Sequence, residues 1–405
     1  MMKCGLLGRK LGHSYSPLIH SFLGDYCYEL FEKEPQELEA FLKRGDWDGI
    51  NVTVPYKKDV ICHLDELTPM AERLQAVNTI IRRDGKLIGH NTDYFGFLTM
   101  VKSSGIDVAN KKVLVLGSGG ASNTAVAVLR ELGAEVVVIS RKGENHYGNL
   151  SLHADATILV NTTPVGMFPD TGVSPVTLDH FPNLEGVLDV IYNPARTKLL
   201  MDAERRGIVA QNGLMMLVAQ AKEAAQWFTG KQIDDCLVDS IYTSLRARQE
   251  NIALIGMPGC GKTTVGQALA KSLGKNFVDS DAVVAQLAGL PIPEIFRVFG
   301  EETFRKYETD ALSDLGKQSG LVIATGGGCV TRDPNYPLLH QNSSIVWLKR
   351  DLSQLSTEGR PLSQNGNLDE MYRLRAPRYE AFADQIMDNN GSVEETVAKI
   401  LEALQ

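Results

Sequence analysis

From Asn251 to Thr264 the chain reads Asn-Ile-Ala-Leu-Ile-Gly-Met-Pro-Gly-Cys-Gly-Lys-Thr-Thr. Gly256, Gly261, Lys262 and Thr263 fit the spacing G-x-x-x-x-G-K-[ST], in which a glycine-rich turn lets backbone N–H groups face an anionic phosphate. Lys262 adds a point charge for the β/γ-phosphates, and Thr263 a hydroxyl for Mg²⁺. The apolar run Ile252–Ile255 ahead of the loop is a buried strand by pattern, and a helix follows, so the helix N-terminus adds its positive dipole end. Gly259, Cys260, Gly261, Lys262, Thr263 and Thr264 are therefore the expected ATP-binding residues.

Further along, Asn276-Phe277-Val278 is a strand ending in Asp279-Ser280-Asp281, with two acids spaced to face one side. Asp279 is placed to hold Mg²⁺ through water, and Asp281 to accept a hydrogen bond from an acceptor hydroxyl, although either acid could instead cap the next helix. Arg305 sits on a helix, and Leu321–Ala324 is a strand ending in Thr325-Gly326-Gly327-Gly328, glycines that permit close backbone approach to a ligand. Gly359-Arg360-Pro361-Leu362 lies in a polar stretch able to close as a lid, and Arg375 lies on a later helix. Scattered arginines with few basic neighbours suit a small anionic molecule rather than nucleic acid.

The first half holds three polar clusters. Ser14-Tyr15-Ser16-Pro17 puts two hydroxyls on one side of an extended segment, or else caps a helix. Asn51 and Thr53 share one face of the strand Ile50–Val54, with Lys57 just past its end. Asn91-Thr92-Asp93 ends a hairpin turning at Asp84-Gly85 and supplies a carboxylate. A Lys–Asp pair beside a nicotinamide can move a proton to or from a substrate oxygen. The nicotinamide is implied by strand Val113–Leu116, the turn Gly117-Ser118-Gly119-Gly120-Ala121-Ser122, a helix to about Leu132 and a strand Glu135–Ile139. This is a dinucleotide βαβ unit with Ser122 in place of the third glycine. Where an NAD site would carry an acid after the second strand, Ser140, Arg141 and Lys142 appear, and cations there suit the 2′-phosphate of NADP.

The elements around these residues alternate strand and helix throughout, which sets an α/β class. The expected organisation is an N-terminal α/β substrate domain over residues 1–94, a Rossmann NADP domain over 95–212, and a P-loop α/β domain over 249–405; the family resemblances given below imply that helices of 213–248 complete the first and that the third is of the nucleoside-monophosphate-kinase type. The 405 residues carry 43% apolar and 22% charged side chains and a net charge of −8, a composition that offers no basic footprint for nucleic acid. No apolar run approaches the ~18 residues of a membrane span. The six cysteines include no C-x-x-C pair and read as reduced thiols, so a cytoplasmic protein acting on small molecules is expected, with the oligomeric state open.

Over essentially all of residues 1–248 the chain resembles shikimate dehydrogenase. The resemblance rests on Gly12-His13-Ser14-Tyr15-Ser16-Pro17, Asn51–Lys57, Ala76-Val77-Asn78-Thr79, Asn91-Thr92-Asp93, the Gly117 turn, Asn161-Thr162-Thr163-Pro164-Val165-Gly166-Met167, Asp189 with Tyr192, and Gly213–Ala221. It implies NADP-dependent interconversion of 3-dehydroshikimate and shikimate. By that resemblance Ser14 and Ser16 hold the substrate carboxylate, while Thr53, Asn78, Asp93 and Gln220 bind hydroxyls. Lys57 is the acid/base paired to Asp93, and Tyr192 lies near the substrate. Gly117, Ser118, Gly119, Gly120 and Ala121 cradle the pyrophosphate, Ser140 and Arg141 flank the 2′-phosphate, and Val190 and Gly213 lie near the nicotinamide.

Residues 251–405 are similar to shikimate kinase through the phosphate loop, Asp279-Ser280-Asp281, Phe304–Glu308, Gly326–Gly328, Arg360-Pro361-Leu362, and Arg375 with Tyr379. That likeness implies ATP-dependent phosphorylation of shikimate. Asp281, Arg305, Gly327 and Arg375 would hold the acceptor, Lys262 and Arg360 would stabilise phosphoryl charge, and Thr263 and Asp279 would serve Mg²⁺. Asp388-Asn389-Asn390-Gly391 departs from the usual adenine-side segment. The product of the first reaction is the substrate of the second, so one chain carrying both is expected to run them in series. A quinate-using first half joined to a small-molecule kinase and a non-catalytic metabolite sensor are the rival readings. The presence of Lys57, Asp93, Lys262 and Asp281 opposes the sensor.

Overall fold

A computed structural model describes residues 1–12, 14–355 and 368–404. The chain forms two compact units. One comprises Met1–Met167, Val173–Tyr192 and Leu199–Leu245, the other Phe168–Gly172, Asn193–Lys198 and Arg246–Gln405.

The first unit contains two sheets. Strands β1 (Lys3–Gly8), β2 (Cys27–Glu32), β3 (Gly49–Val52), β4 (Glu66–Leu67), β5 (Thr79–Arg83) and β6 (Lys86–His90) assemble in the order β2-β1-β3-β5-β6-β4. β1 runs parallel to β2 and β3, while β3, β5 and β6 are antiparallel, so the sheet is mixed. The turn between β5 and β6 needs positive φ at both centres, and Asp84 (51°) and Gly85 (79°) supply it. β3 is shorter than the sequence implies. It stops at Val52, ahead of Pro55, which has no N–H for a ladder, and Val54 is left exposed.

The second sheet has strands β7 (Lys112–Leu116), β8 (Glu135–Ile139), β9 (Ile158–Asn161), β10 (Gly186–Asp189) and β11 (Val209–Gln211) in the order β11-β10-β9-β7-β8, all parallel. A parallel sheet is covered on both faces, which is why its strands are apolar at successive residues. Val113, Val115, Ile158 and Val160 pack on one side with Phe97, Met100 and Val218, whereas Leu114, Leu116 and Leu159 pack on the other with Phe181 and Leu199. Full burial of each such side chain contributes about 1.5–3 kcal/mol. The helices Asp93–Ser104 and Leu214–Thr229 cross closely at Gly96, where a Cβ would lie 2.6 Å from the Met216 carbonyl oxygen. That contact brings the second helix's polar residue Gln220 up to the start of the first.

The second unit is built on β12 (Asn251–Ile255), β13 (Asn276–Asp279), β14 (Leu321–Ala324), β15 (Ser343–Lys349) and β16 (Gln385–Asp388), ordered β13-β14-β12-β15-β16 and parallel throughout. Ile252, Leu254, Val322, Ile345, Trp347 and Tyr379 belong to its core. The helix Lys262–Leu273 follows the glycine loop directly. The helical stretch Ile292–Gly316 is broken at Gly300, whose φ of 78° no helix accommodates. Among the described residues no single helix is long and apolar enough to cross a membrane, and all six cysteines are free thiols.

Two candidate active sites

The first site lies where β1 and β3 end, facing the start of helix Leu214–Thr229. A cavity of about 490 Å³ is lined by Ser14, Ser16, Thr53, Lys57, Asn78, Asp93 and Gln220 on one side and by Ala121, Met167, Val190, Tyr192 and Gly213 on the other. Residues scattered over two hundred positions of sequence thus meet in one space. Lys57 Nζ donates to Asp93 Oδ2 at 2.5 Å. Asn78 Nδ2 donates to Asp93 Oδ1 at 3.0 Å and to Thr92 Oγ1 at 2.9 Å, so both carboxylate oxygens are held. Asp93 is the first residue of its helix, where the dipole favours an anion. Gln220 Oε1 accepts from Asn78 Nδ2 at 3.3 Å, which ties the far helix into the same network. Asn51 braces the site from beneath, donating to Thr79 Oγ1 at 3.1 Å and accepting from the Tyr28 hydroxyl at 2.7 Å. Burial holds the Tyr192 phenol above its usual range, aided by Tyr15, so it faces the cavity as a neutral donor.

One local expectation changes. Ser14 and Ser16 do share the cavity, but not as alternate residues of an extended segment. Tyr15 is helical in backbone (φ −77°, ψ −10°), Ser16 opens the helix Ser16–Leu23, and Ser14 Oγ accepts from Ser16 N at 3.2 Å. A side-chain-to-backbone bond turns the chain and points the hydroxyls together.

An adjoining cavity of about 650 Å³ in the same unit is lined by Gly117, Ser118, Gly119, Ser140, Arg141, Tyr147 and the stretch Thr162–Val165. Gly117 has φ of 111°, and a Cβ there would stand 2.8 Å from Thr162 Oγ1, so the close turn of a dinucleotide loop is imposed at this position. Of the two cations after β8, Arg141 lines this space and Lys142 does not. The Ser140 hydroxyl donates to the Lys142 carbonyl. Gly120 lines neither cavity, and Ala121 faces the substrate side. Gly213 admits no side chain, since its Cβ would fall 2.0 Å from the Val190 carbonyl oxygen. Lys10 and Tyr147 also line the cavities and were not legible from sequence, because neither belongs to a local motif.

The second site is formed by the carboxyl ends of β13, β14 and β12, the position where parallel sheets gather ligands. Its cavity, about 980 Å³, is lined by Gly259, Gly261, Lys262, Thr263, Thr264, Asp279, Asp281, Arg305, Gly327 and Arg375, with Phe296, Glu308 and Arg350 among the others. Gly256, Gly259 and Gly261 all take positive φ (144°, 84°, 98°), which turns the loop's backbone inward. Lys262 is 8% exposed, and its ammonium donates to the Gly256 and Met257 carbonyls at 2.9 and 3.0 Å. Cys260 does not line the cavity. Its side chain is buried in the core, and its carbonyl accepts from Asn389 Nδ2 at 2.6 Å.

Thr263 Oγ1 donates to Asp279 Oδ2 at 3.1 Å. A hydroxyl and a carboxylate are hard oxygen donors, the chemistry that Mg²⁺ takes when phosphates complete its shell. Asp279 also caps the helix Ser280–Ala288, accepting from Asp281 N at 3.0 Å, so the two acids differ in role rather than facing one way as strand residues. Asp281 Oδ1 and Glu308 Oε1 are buried and have no hydrogen-bond partner among the described residues. Both would stand 2.7 Å from a Cβ on Gly326, so only glycine leaves room for them. Burial, then the charges of Asp279 and Glu308, push the Asp281 carboxyl up to about 6. Arg305 is clamped by Glu308 (Nη1 to Oε2, 2.9 Å) and Glu301 (Nη2 to Oε1, 2.9 Å), while Arg375 Nη1 donates to the Gly327 carbonyl at 3.1 Å. Glu308 is fully buried, and burial raises its carboxyl against the pull of Arg305. Arg360 and its neighbours lie outside the described residues.

Comparison with known proteins matches both halves. The model of the shikimate dehydrogenase substrate-binding domain matches residues 6–80, and that of shikimate kinase matches residues 258–405. Shikimate dehydrogenase (NADP(+)) of Clostridium perfringens (strain SM101 / Type A) is 35% identical over 266 residues, 60% of this chain and 98% of the relative. That of Caldicellulosiruptor bescii is 38% identical over 260 residues, 56% of this chain and 90% of the relative. Among solved structures, shikimate dehydrogenase 1 from Peptoclostridium difficile aligns with a TM-score of 0.57 at 37% identity, covering 61% of this chain and 98% of that one. A Thermus thermophilus shikimate 5-dehydrogenase in complex with NADP(H) and shikimate aligns with a TM-score of 0.56 at 33% identity, over 60% and 99% of the two chains. A chorismate mutase/shikimate 5-dehydrogenase fusion from Clostridium acetobutylicum, at 34% identity and a TM-score of 0.58, covers 60% of this chain and 97% of its own. The chain belongs to the shikimate dehydrogenase family through its first three-fifths and carries a shikimate kinase domain after it.

Proposed function

We propose that this protein is a bifunctional enzyme that reduces 3-dehydroshikimate to shikimate with NADPH and then phosphorylates shikimate with ATP to shikimate 3-phosphate. Three modules would divide the work: residues 1–94 with helices of 213–248 for the first substrate, 95–212 for NADP, and 249–405 for the kinase. The observation that carries the reading is that two separate charged clusters, Lys57–Asp93 and Lys262–Asp281, sit in cavities of families whose chemistry shares one metabolite.

In the first site NADPH, which Gly117, Ser118, Gly119 and Arg141 would hold, would supply the hydride for the carbonyl carbon. Lys57 donates a proton to the carbonyl oxygen as the alcohol forms, and Asp93 holds the ammonium in place. Ser14 and Ser16 take the substrate carboxylate, and Asn78 and Gln220 orient hydroxyls, which fixes the reacting carbon against the cofactor. In the second site ATP would supply the phosphoryl group, and Mg²⁺, which Thr263 and Asp279 would hold, would supply charge neutralisation. Asp281 accepts the proton of the attacking hydroxyl, and its raised carboxyl matches a base working near neutrality. Arg305 and Arg375 meet the acceptor's carboxylate, and Lys262 the transferred charge.

A mass-spectrometric time course on the purified protein tests this. With 3-dehydroshikimate and NADPH, shikimate should accumulate, and later addition of Mg-ATP should convert it to a species heavier by one phosphoryl group. Shikimate without the second step would refute the kinase half, and no shikimate would refute the first.

A further inference from the structure

We propose that Arg350 is an additional nucleotide-binding residue, contacting the phosphate chain of ATP beside the glycine loop; this rests on the reading of the second cavity as the ATP site. Arg350 follows β15 and lines that cavity. Its Nη1 stands 3.7 Å from where a Cβ on Gly261 would be, and Gly261 is the last loop residue before the helix that begins at Lys262. The guanidinium is therefore beside the backbone that would wrap phosphate.

The hydrogen-bond donors of Arg350 are also open. Lys262 donates to two carbonyls, Arg305 is held by two glutamates, and Arg375 donates to a carbonyl. Arg350 shows no hydrogen bond or ion pair among the described residues, and its Nε is buried without a partner. A guanidinium left so in a partly enclosed cavity is matched to an anion, and phosphate is the charged part of a nucleotide.

The backbone that carries it is fixed by the tail segment whose sequence is unusual. Asn389 N donates to the Lys349 carbonyl at 2.8 Å, and Asn390 Oδ1 accepts from Asp351 N at 2.9 Å. Asn389 Nδ2 simultaneously holds the Cys260 carbonyl of the glycine loop, and Thr396 Oγ1 fixes the Asn389 amide from behind at 2.7 Å. Asn389 and Asn390 thus join the phosphate loop and the Arg350 segment into one braced unit. Arg350 is set to meet the phosphates without a loop having to order first.

The test is calorimetric titration of the full-length protein and its Arg350→Gln and Arg350→Lys variants with adenosine, ADP and inorganic tripolyphosphate in the presence of Mg²⁺. Loss of one charge-assisted contact predicts ADP and tripolyphosphate affinity lower by about ten- to a hundredfold in Arg350→Gln, with adenosine unchanged and Arg350→Lys in between. Unchanged adenosine binding and dehydrogenase activity also establish that the variant is folded. Equal ADP affinity in wild type and variant would overturn the proposal. So would a matching loss for adenosine, which would put the guanidinium on the base instead. Absence of ADP binding by the unsubstituted protein would overturn the ATP-site reading itself, and this proposal with it.

Discussion

Replacing Asp281 by Asn should stabilise the second unit at neutral pH while it removes phosphoryl transfer. The carboxyl is raised from 3.8 to about 6, chiefly by burial and then by the neighbouring charges of Asp279 and Glu308. At about 1.4 kcal/mol per tenfold, that rise sets about 3 kcal/mol against the ionised folded state at pH 7, and screening through the open cavity reduces it to about 1–2 kcal/mol. The sign follows from linkage. The unfolded carboxyl ionises near 3.8 and the folded one near 6, so below 3.8 both are protonated and nothing is lost. As pH rises through this window the native state loses stability relative to an uncharged isostere, and above 6 the loss is constant. The assay is urea unfolding from pH 3.5 to 8, followed by amide exchange in the helix Ser280–Ala288, with both activities measured alongside. The variant should match wild type near pH 3.5, exceed it from pH 7 upward, lose kinase turnover and keep dehydrogenase turnover. A difference that does not vary with pH, or a variant less stable at pH 7, would refute the electrostatic account.

Three further outcomes are expected. Lys57→Ala should lower dehydrogenase kcat by about 10²–10⁴-fold with little change in NADP affinity if the ammonium, held by Asp93 in the substrate cavity, is the proposed proton donor, and a surviving kcat would reassign that role. Arg141→Ala should raise KM for NADPH and leave KM for NADH nearly unchanged if Arg141, which lines the dinucleotide cavity, is the proposed partner of the 2′-phosphate; equal effects on both cofactors would place Arg141 elsewhere. Gly213→Ala should lower the melting temperature and the dehydrogenase activity together, because a Cβ 2.0 Å from the Val190 carbonyl oxygen forces backbone to move beside the substrate cavity, and wild-type behaviour would contradict that geometry.

Much of the chemistry was legible in the linear chain because it is local. A phosphate loop, a dinucleotide turn and a positive-φ hairpin are each specified within a few residues, by glycines where backbone must turn and by apolar runs where strands are buried on both faces. For the same reason the α/β class, the strand Glu135–Ile139 and the strand Leu321–Ala324 read directly from sequence. The family resemblance named Asn78 and Gln220, but nothing in the spacing of residues 142 positions apart could say that their side chains bond.

What tertiary structure alone decided is which polar groups share a desolvated space. Packing of Gly96 against Met216 carries Gln220 to Asn78. Glu308 and Asp281 acquire raised carboxyls because the fold buries them and, for Asp281, because it also brings the charges of Asp279 and Glu308 close. Asn389, an unexceptional tail residue in sequence, becomes a brace for Cys260 once β16 lies beside β15. Local sequence fixes φ, ψ and the apolar pattern, whereas burial and charge environment depend on neighbours distant in the chain, and these set the chemistry of Asp281 and Glu308.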